Sequence, residues 1–600
     1  MIKTMKIKSC VAALLAAFTL GLTTSCADMF DIESNRVVYD HEINSTSDSV
    51  YTTLGVLQSL RKVADRYVIL GEVRGDMAVI NEYTKTSLRN LANFNFEDEN
   101  EYLNVRDYYT IINNCNYALA KMDTTLAINN QRVMIDEYVA LQGIRAWTYL
   151  QLVINYGEVP YYTYPIVTES DVDRAYAEGK KDVKAITEDL ARQLTPYLDY
   201  DLPTFVSTMG SYPVLRLVLA DLYLWSGDYE NAKICLEDYF MKNKKRAPYK
   251  ATEGTFSAIQ QGYYSLGGNF LVVSNWKESE KKYEWKLANG QIYSSGYGDE
   301  NLASIQLESS ELGSLFTSGD NKHPLYPSNS WKSLCNNQLL FRYVEATSTK
   351  KEDLNIIDKT AAAVDLRMKQ YWVSREASDE TLTGESMFVD QYTKFSTSRL
   401  NIYRRSIGYL RWAEALNALA KQRYDAGDFA NARKFSVDAF YLLKDASKVF
   451  FPEGSEVQKK FEFAKKKYEA EFKGVHSRGS GDVSYDTEHY VLEPGVIAQK
   501  LYGVNAESAA SVDLTFNDTI EYIDNLIFDE LALESTLEGN RFGDLIRFAK
   551  RRKDWGDTEY RDFLAKRVAE RGVNEEVTTR DEVLYNKLNE SEEYWYLPFK

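Results

Sequence analysis

The residues best suited to chemistry lie near the end of the chain: Glu530, Glu534 and Glu538, followed by Arg541, Asp544 and Arg547. The glutamates are four apart, which places them on one face of a helix. Gly539 is positioned to end that helix, leaving Arg541, Asp544 and Arg547 set for bidentate carboxylate pairs. Two carboxyls facing each other across a substrate would be a glycosidase acid–base pair. Carboxylates on one face with interleaved arginines are instead the pattern of a structural latch, and a latch is the expectation here.

A second group has the residue types that bind without reacting. Trp276, Trp285 and Trp331 fall beside Asn269, Asn275, Tyr293, Tyr297 and Asn329. Flat aromatic faces stack on the apolar face of a sugar ring, and amides bond its hydroxyls; a pocket needs both types together. The alternative, rings that pack loops onto a scaffold, stays open for the group. Trp147, Trp225 and Trp412 sit at apolar positions of helical segments and are expected in the core.

Other chemistries lack their residues. There is no CxxC, and His41, His323, His476 and His489 form no HExxH pair. No G-x-S-x-G and no G-x-x-x-x-G-K-[ST] occurs, so no cofactor or metal is expected. Arg74-Gly75-Asp76 matches an integrin-type motif by letter alone.

The elements that must position these groups are helical over most of the chain. From about 45 to 156 apolar residues recur at helical spacing, ending in a long amphipathic helix, Glu137 to Tyr156, closed by Gly157 and Pro160. A further helix is expected from Lys181 to Leu198. Then an internal repeat appears: Ser226-Gly227-Asp228-Tyr229-Glu230-Asn231-Ala232-Lys233 matches Ala426-Gly427-Asp428-Phe429-Ala430-Asn431-Ala432-Arg433. Each copy follows a helix, Pro213 to Trp225 and Ile407 to Tyr424. This is the pattern of tetratricopeptide helix pairs, whose units bury their apolar faces only by stacking. Residues 250 to 400 are instead rich in Gly, Ser, Asn and aromatics, with no sustained helical period, and a second loop-rich stretch runs from about 450 to 518. A long irregular insertion dense in Trp and Tyr reads as an ordered, loop-built face on a helical scaffold.

The start of the chain addresses it to a membrane. Lys3, Lys6 and Lys8 precede the apolar run Val11 to Leu22, which is too short to span a bilayer, and Thr23-Thr24-Ser25-Cys26 resembles a bacterial lipobox. Residues 1–25 are therefore expected to be a lipoprotein signal, with Cys26 the acylated first mature residue. Loss of the three signal lysines would take the net charge from −17 to −20, which argues against nucleic acid or anionic lipid as a partner. Cys115, Cys235 and Cys335 remain, an odd number at wide spacing, so the fold relies on its core and not on a cystine framework.

Taken in order, these pieces resemble the SusD/RagB-like outer-membrane nutrient-binding lipoproteins of Bacteroidetes. After the lipobox, Arg145-Ala146-Trp147-Thr148-Tyr149-Leu150 through Tyr156-Gly157-Glu158-Val159-Pro160 is similar to that family's first helix end. Tyr409-Leu410-Arg411-Trp412-Ala413-Glu414-Ala415-Leu416 is similar to its R-Y-A-E helix. Glu538-Gly539-Asn540-Arg541-Phe542-Gly543-Asp544-Leu545-Ile546-Arg547 resembles its EGHRWFDLIR signature, and Tyr596-Leu597-Pro598-Phe599 its closing segment. Asn540, Gly543 and Phe599 stand where the family usually has histidine, an aromatic and isoleucine. The resemblance implies one domain over 26–600: a helix-pair scaffold at about 45–250 and 400–450, a ligand-facing region at about 250–400, and the signature region at about 515–600. It implies glycan capture without bond breaking, lipid anchoring in the outer membrane facing the cell surface, and a SusC-like TonB-dependent transporter as partner. Tyr83, near Phe94, Asn95 and Phe96, is a further ligand candidate where family members often contribute contacts. Peptide capture by the same family and a purely protein-binding tetratricopeptide scaffold are the alternatives.

Overall fold

Two turns with the same letters set the pattern of the scaffold. Gly227 and Gly427 adopt φ of 82° and 79°, the left-handed region that a Cβ disfavours, and so each ends a helix. Asp228 and Asp428 then accept the N–H of Asn231 and Asn431 at 3.2 and 3.3 Å, capping the helix that follows. The pairs are Leu215–Ser226 with Tyr229–Glu237, and Arg405–Asp425 with Phe429–Lys444. They stack through buried Leu224, Tyr229, Ala232, Ala415, Ala418 and Leu419, where the small alanines let the backbones approach. The expected repeat is thus a packed pair of helix pairs, and the fold is mainly α.

The computed structural model describes residues 43–97, 99–200, 202–203, 211–242, 301–307, 309–316, 324–336, 365, 399–444, 475–476, 487–573 and 577–599, and strands at 272–277, 282–287, 338–343, 356–363, 373–374 and 386–387. Cys26, Tyr293 and Tyr297 lie outside them. Thr46–Glu72, Arg106–Lys121 and Ile135–Tyr156 pack side by side, and Val183–Leu194 bridges Ile135–Tyr156 to Leu215–Ser226. Trp147 and Trp412 are buried as expected, and Trp225 is partly buried against the same core. Cys115, Cys235 and Cys335 are buried and free. Arg74 and Asp76 are buried as well, so the integrin-type letters present no surface.

The insertion differs from the loop-built expectation. Its second half is closed by a strand pair: Asn301–Gln306 pairs antiparallel with Arg399–Arg404, Leu400 opposite Ile305. Leu302, Ala303, Ser304, Ile305, Leu400, Asn401, Ile402 and Tyr403 are all buried. A strand covered on both faces lacks the period-two alternation by which strands are recognised. Within the insertion, Val272–Lys277 and Lys282–Leu287 form a hairpin, and Leu325–Pro327 adds to Ala78–Ile80. The second loop-rich stretch also contains a helix, Pro494–Tyr502, with proline in its first turn and Gly503 left-handed at its end.

The C-terminal region is a further helical layer, Phe516–Glu534, Arg541–Asp554, Tyr560–Glu570 and Glu582–Glu590. Its closest approach to the N-terminal helices is made by glycines. A Cβ on Gly71 would lie 1.9 Å from the Gly539 carbonyl oxygen, and Gly539 itself has φ of 87°. Among the described residues, no helix is long and apolar enough to cross a membrane.

Candidate functional site

The signature carboxylates form the expected latch. Phe516–Glu534 stops at Glu534, five residues before Gly539, so Glu538 sits on the connecting turn instead of the helix. One guanidinium still gathers both groups: Arg404 donates through Nε to Glu538 at 2.8 Å and through Nη1 to Glu534 at 3.1 Å. Arg541 clasps Asp76 with Nε and Nη2 at 2.6 and 2.8 Å, tying the signature to the end of Thr46–Glu72. Glu530 contacts His476 Nδ1 at 2.6 Å and accepts the Tyr490 hydroxyl at 3.2 Å.

The centre of the network is Glu414, which the spacing of the signature does not disclose. Arg547 grips it bidentately at 2.6 and 2.9 Å, and Arg551 adds a bond at 2.7 Å. Arg411 joins it to Asp544 at 3.2 and 2.6 Å. Its sequence signal is a carboxylate inside the run Trp412-Ala413-Glu414-Ala415-Leu416, where a buried charge requires a partner. Burial works against the charge of Arg411, but Asp544 and Glu414 more than offset it and hold it protonated beyond the ordinary arginine range. Every member of this cluster is buried; Glu414, Glu534, Glu538, Asp76 and Asp544 are each engaged by an arginine, and Glu530 by His476 and Tyr490. A general acid needs an open approach to substrate, which these groups lack.

The stacking candidates separate. Trp331 is 1 % exposed, and its Nε1 donates to Thr536 Oγ1 at 2.9 Å. Asn329 on the same short helix donates to the Val573 carbonyl at 2.7 Å. This helix is pinned to the scaffold, so Trp331 has no open face for a sugar and is corrected to a packing residue. Trp276, Trp285 and Asn275 lie on the hairpin, where Trp276 is opposite Tyr283, Ser274 opposite Trp285, and Asn275 opposite Glu284. Alternation along a strand puts positions 276, 283 and 285 on one face and 275 on the other. Tyr83 is exposed, on a turn held by its own N–H to Asn81 at 2.8 Å.

A cleft of about 920 Å³ opens elsewhere, between the C-terminal segment and the helix pairs, lined by Phe96, Trp225, Tyr594, Tyr596 and Phe599. Its rings are already engaged. Lys180 lies over Phe599 at 4.7 Å, Lys550 over Tyr596 at 5.4 Å and Lys587 over Tyr594 at 5.8 Å. A sugar would have to displace these ammonium groups from the ring faces, which carry the attraction. Among the described residues, no group of three or more His, Cys, Asp or Glu side chains is placed to hold a metal ion.

No family model matches the sequence. The chain is 25% identical over 249 residues to "SusD-like protein P38" of Formosa agariphila, covering 40% of this chain and 47% of that protein. It is 27% identical over 241 residues to "SusD-like protein P2" of the same organism, covering 39% and 43%. The chain thus spans a little under half the length of these relatives. A SusD superfamily protein from Bacteroides vulgatus superposes with a TM-score of 0.49 at 11% identity, covering 92% of this chain and 96% of that one. The order of motifs and the matched relatives agree: over about two fifths of its length this chain is similar to proteins named SusD-like.

Proposed function

We propose that this protein is a lipid-anchored, surface-facing outer-membrane receptor that captures a glycan and delivers it intact to a SusC-like TonB-dependent transporter. The observation that carries the glycan assignment is the hairpin register, which brings Trp276, Tyr283 and Trp285 to one face of a two-stranded arm. Three aromatic positions on one face suit a row of sugar rings, and the amphipathic tips of tyrosine and tryptophan suit a wet site. Binding without turnover follows from the latch, which leaves no exposed pair of facing carboxylates at the signature. Relationship to proteins named SusD-like supports the same reading.

The test is calorimetry of purified protein against a panel of polysaccharides, with reducing-end release measured in parallel. The parent should bind at least one glycan and release no ends. Trp276→Ala, Tyr283→Ala and Trp285→Ala should each lose about 1–3 kcal/mol, roughly a five- to 150-fold fall in affinity, at unchanged melting temperature. Undiminished affinity in all three would place the site elsewhere, with the Tyr83 turn next in line.

A further inference from the structure

The helix Glu169–Glu178 is firmly capped yet buries nothing. Thr168 and Asp171 form a reciprocal capping box at its start, and Gly179 ends it with φ of 73°. Not one of its ten residues is buried. A helix this short is marginal in water on its own, and helices in proteins are stabilised chiefly by packing an apolar stripe. The stripe is present: Val172 and Tyr176 are one turn apart on one face, and Val167 precedes the cap. Val167, Val172 and Tyr176 are 42, 39 and 79 % exposed. Apolar residues exposed singly are ordinary, whereas three on one short segment mark a contact surface.

The surface is preformed, because the loop that leads into the helix is fixed to the scaffold. Asn113 donates to the Ile166 carbonyl at 3.0 Å and accepts the Ile166 N–H at 2.7 Å. Asn116 donates to the carbonyls of Tyr162 and Tyr164 at 3.3 and 3.0 Å. Arg174 lies over the Tyr164 ring at 3.7 Å, which ties the helix to that loop. A rigid patch of tyrosine, arginine and aliphatic side chains has the composition of the centre of a protein interface and loses little freedom on binding.

Position and charge identify the occupant. Asn113 and Asn116 belong to Arg106–Lys121, and the Lys121 carbonyl at the end of that helix accepts the Ile43 N–H at 3.1 Å. Asn116 and Lys121 are about 8 Å apart along the axis. Sixteen residues separate Ile43 from Cys26, a tether of about 60 Å at most. The patch therefore lies beside the point where the proposed membrane anchor joins the fold. From Glu169 to Asp182, five carboxylates stand against Arg174, Lys180 and Lys181. Two copies meeting through this face would set like charges together, so its complement is a different surface with a basic rim.

We propose that Val167, Val172 and Tyr176 dock this protein onto the membrane-embedded transporter, entering an apolar pocket rimmed by lysine or arginine. This rests on the capture-and-delivery reading above and adds the face by which the two proteins hold each other. None of the docking residues belongs to the aromatic arm, so docking and glycan binding should be separable by mutation.

The test purifies the tagged protein in mild detergent from outer membranes of the native host and identifies accompanying proteins by mass spectrometry. The parent should bring down a TonB-dependent barrel. Val172→Asp and Tyr176→Glu should each lower its recovery about tenfold or more, at unchanged melting temperature and unchanged glycan affinity. A photo-crosslinking benzoyl-phenylalanine at Tyr176 should join the protein to the barrel, and one at exposed Phe429, on the second helix pair, should not. Full recovery of the barrel by both variants, a crosslink from Tyr176 to a second copy of this chain, or glycan affinity that falls with either substitution would each overturn the docking face and leave the delivery reading standing. Absence of any barrel from the parent preparation would refute the delivery reading, and the docking face with it.

Discussion

Trp331 is the sharpest place to separate structural from ligand-binding aromatics, because its neighbours in sequence look like those of a sugar site. Replacing it with alanine removes an indole that is 1 % exposed and its bond to Thr536 Oγ1 at 2.9 Å. Emptying a buried aromatic site costs about 3–5 kcal/mol, since the surroundings collapse only partly. Loss of the hydrogen bond, about 1 kcal/mol, places Trp331→Ala toward the upper end. Trp331→Phe keeps most of the ring, so about 1–2 kcal/mol is expected from the lost N–H donor and the smaller volume. Urea denaturation followed by far-UV circular dichroism measures both, with an unchanged m-value as the sign that only stability has moved. Calorimetry of the folded Trp331→Phe protein against the cognate glycan should then give the parent affinity within twofold. A stable Trp331→Ala protein that binds tenfold more weakly would refute the reasoning and return Trp331 to the ligand site.

Gly543 of the signature and Gly71, which packs against Gly539, should respond in opposite directions. Gly543→Ala should stabilise by about 0.5–1 kcal/mol, because the residue is helical and its Cβ would meet Ile154 and Trp225 at 3.5 and 3.7 Å, ordinary contact distances. Gly71→Ala should lose about 4 kcal/mol or more, or fail to fold, since its Cβ would lie 1.9 Å from the Gly539 oxygen; urea midpoints of the two variants check both signs. Glu72 gives a pH dependence: burial raises its pKa from 4.5 to about 7, so its contribution is fully present below pH 4.5 and is lost as pH rises through 7, by up to about 3 kcal/mol. Glu72→Gln, which still offers an acceptor to the Gly539 N–H, should flatten the fall in stability between pH 5 and 8, and an unaltered slope would assign that fall to other groups. Cys26→Ala should move the protein out of the membrane fraction or leave its signal uncleaved, and detergent-requiring membrane association unchanged in that variant would rule out lipidation at Cys26.

What the sequence disclosed and what it concealed follow from the range of the forces involved. The helix pairs were legible because their boundaries rest on local chemistry: a glycine free to take positive φ and, directly after it, an aspartate able to cap, repeated intact. The latch was legible in kind, because interleaved Glu and Arg have few other stable arrangements in a folded chain. Its centre was not, since Glu414 meets Arg547 and Arg551 across more than a hundred residues. The end of Phe516–Glu534 was also misplaced, because glycine marked the turn but not where the helix stops. Trp331 misled for a related reason. Polar neighbours such as Asn329 read as a binding rim, yet Asn329 spends its amide on the Val573 carbonyl, a partner no local pattern identifies.

Arg404 joins the return strand of the insertion to the signature turn. It ends the strand Arg399–Arg404, by which the insertion returns to the scaffold, and begins the run into Arg405–Asp425. The same guanidinium holds Glu534 and Glu538 and donates to the Glu534 carbonyl at 2.8 Å. The base of the insertion is therefore fixed by the ion network that fixes the signature turn. Removing one partner from a buried pair of this kind costs about 3–5 kcal/mol, largely because the other charge is left stranded. The strand Arg399–Arg404 is thus anchored where it meets the scaffold by the same buried charges that hold the signature turn.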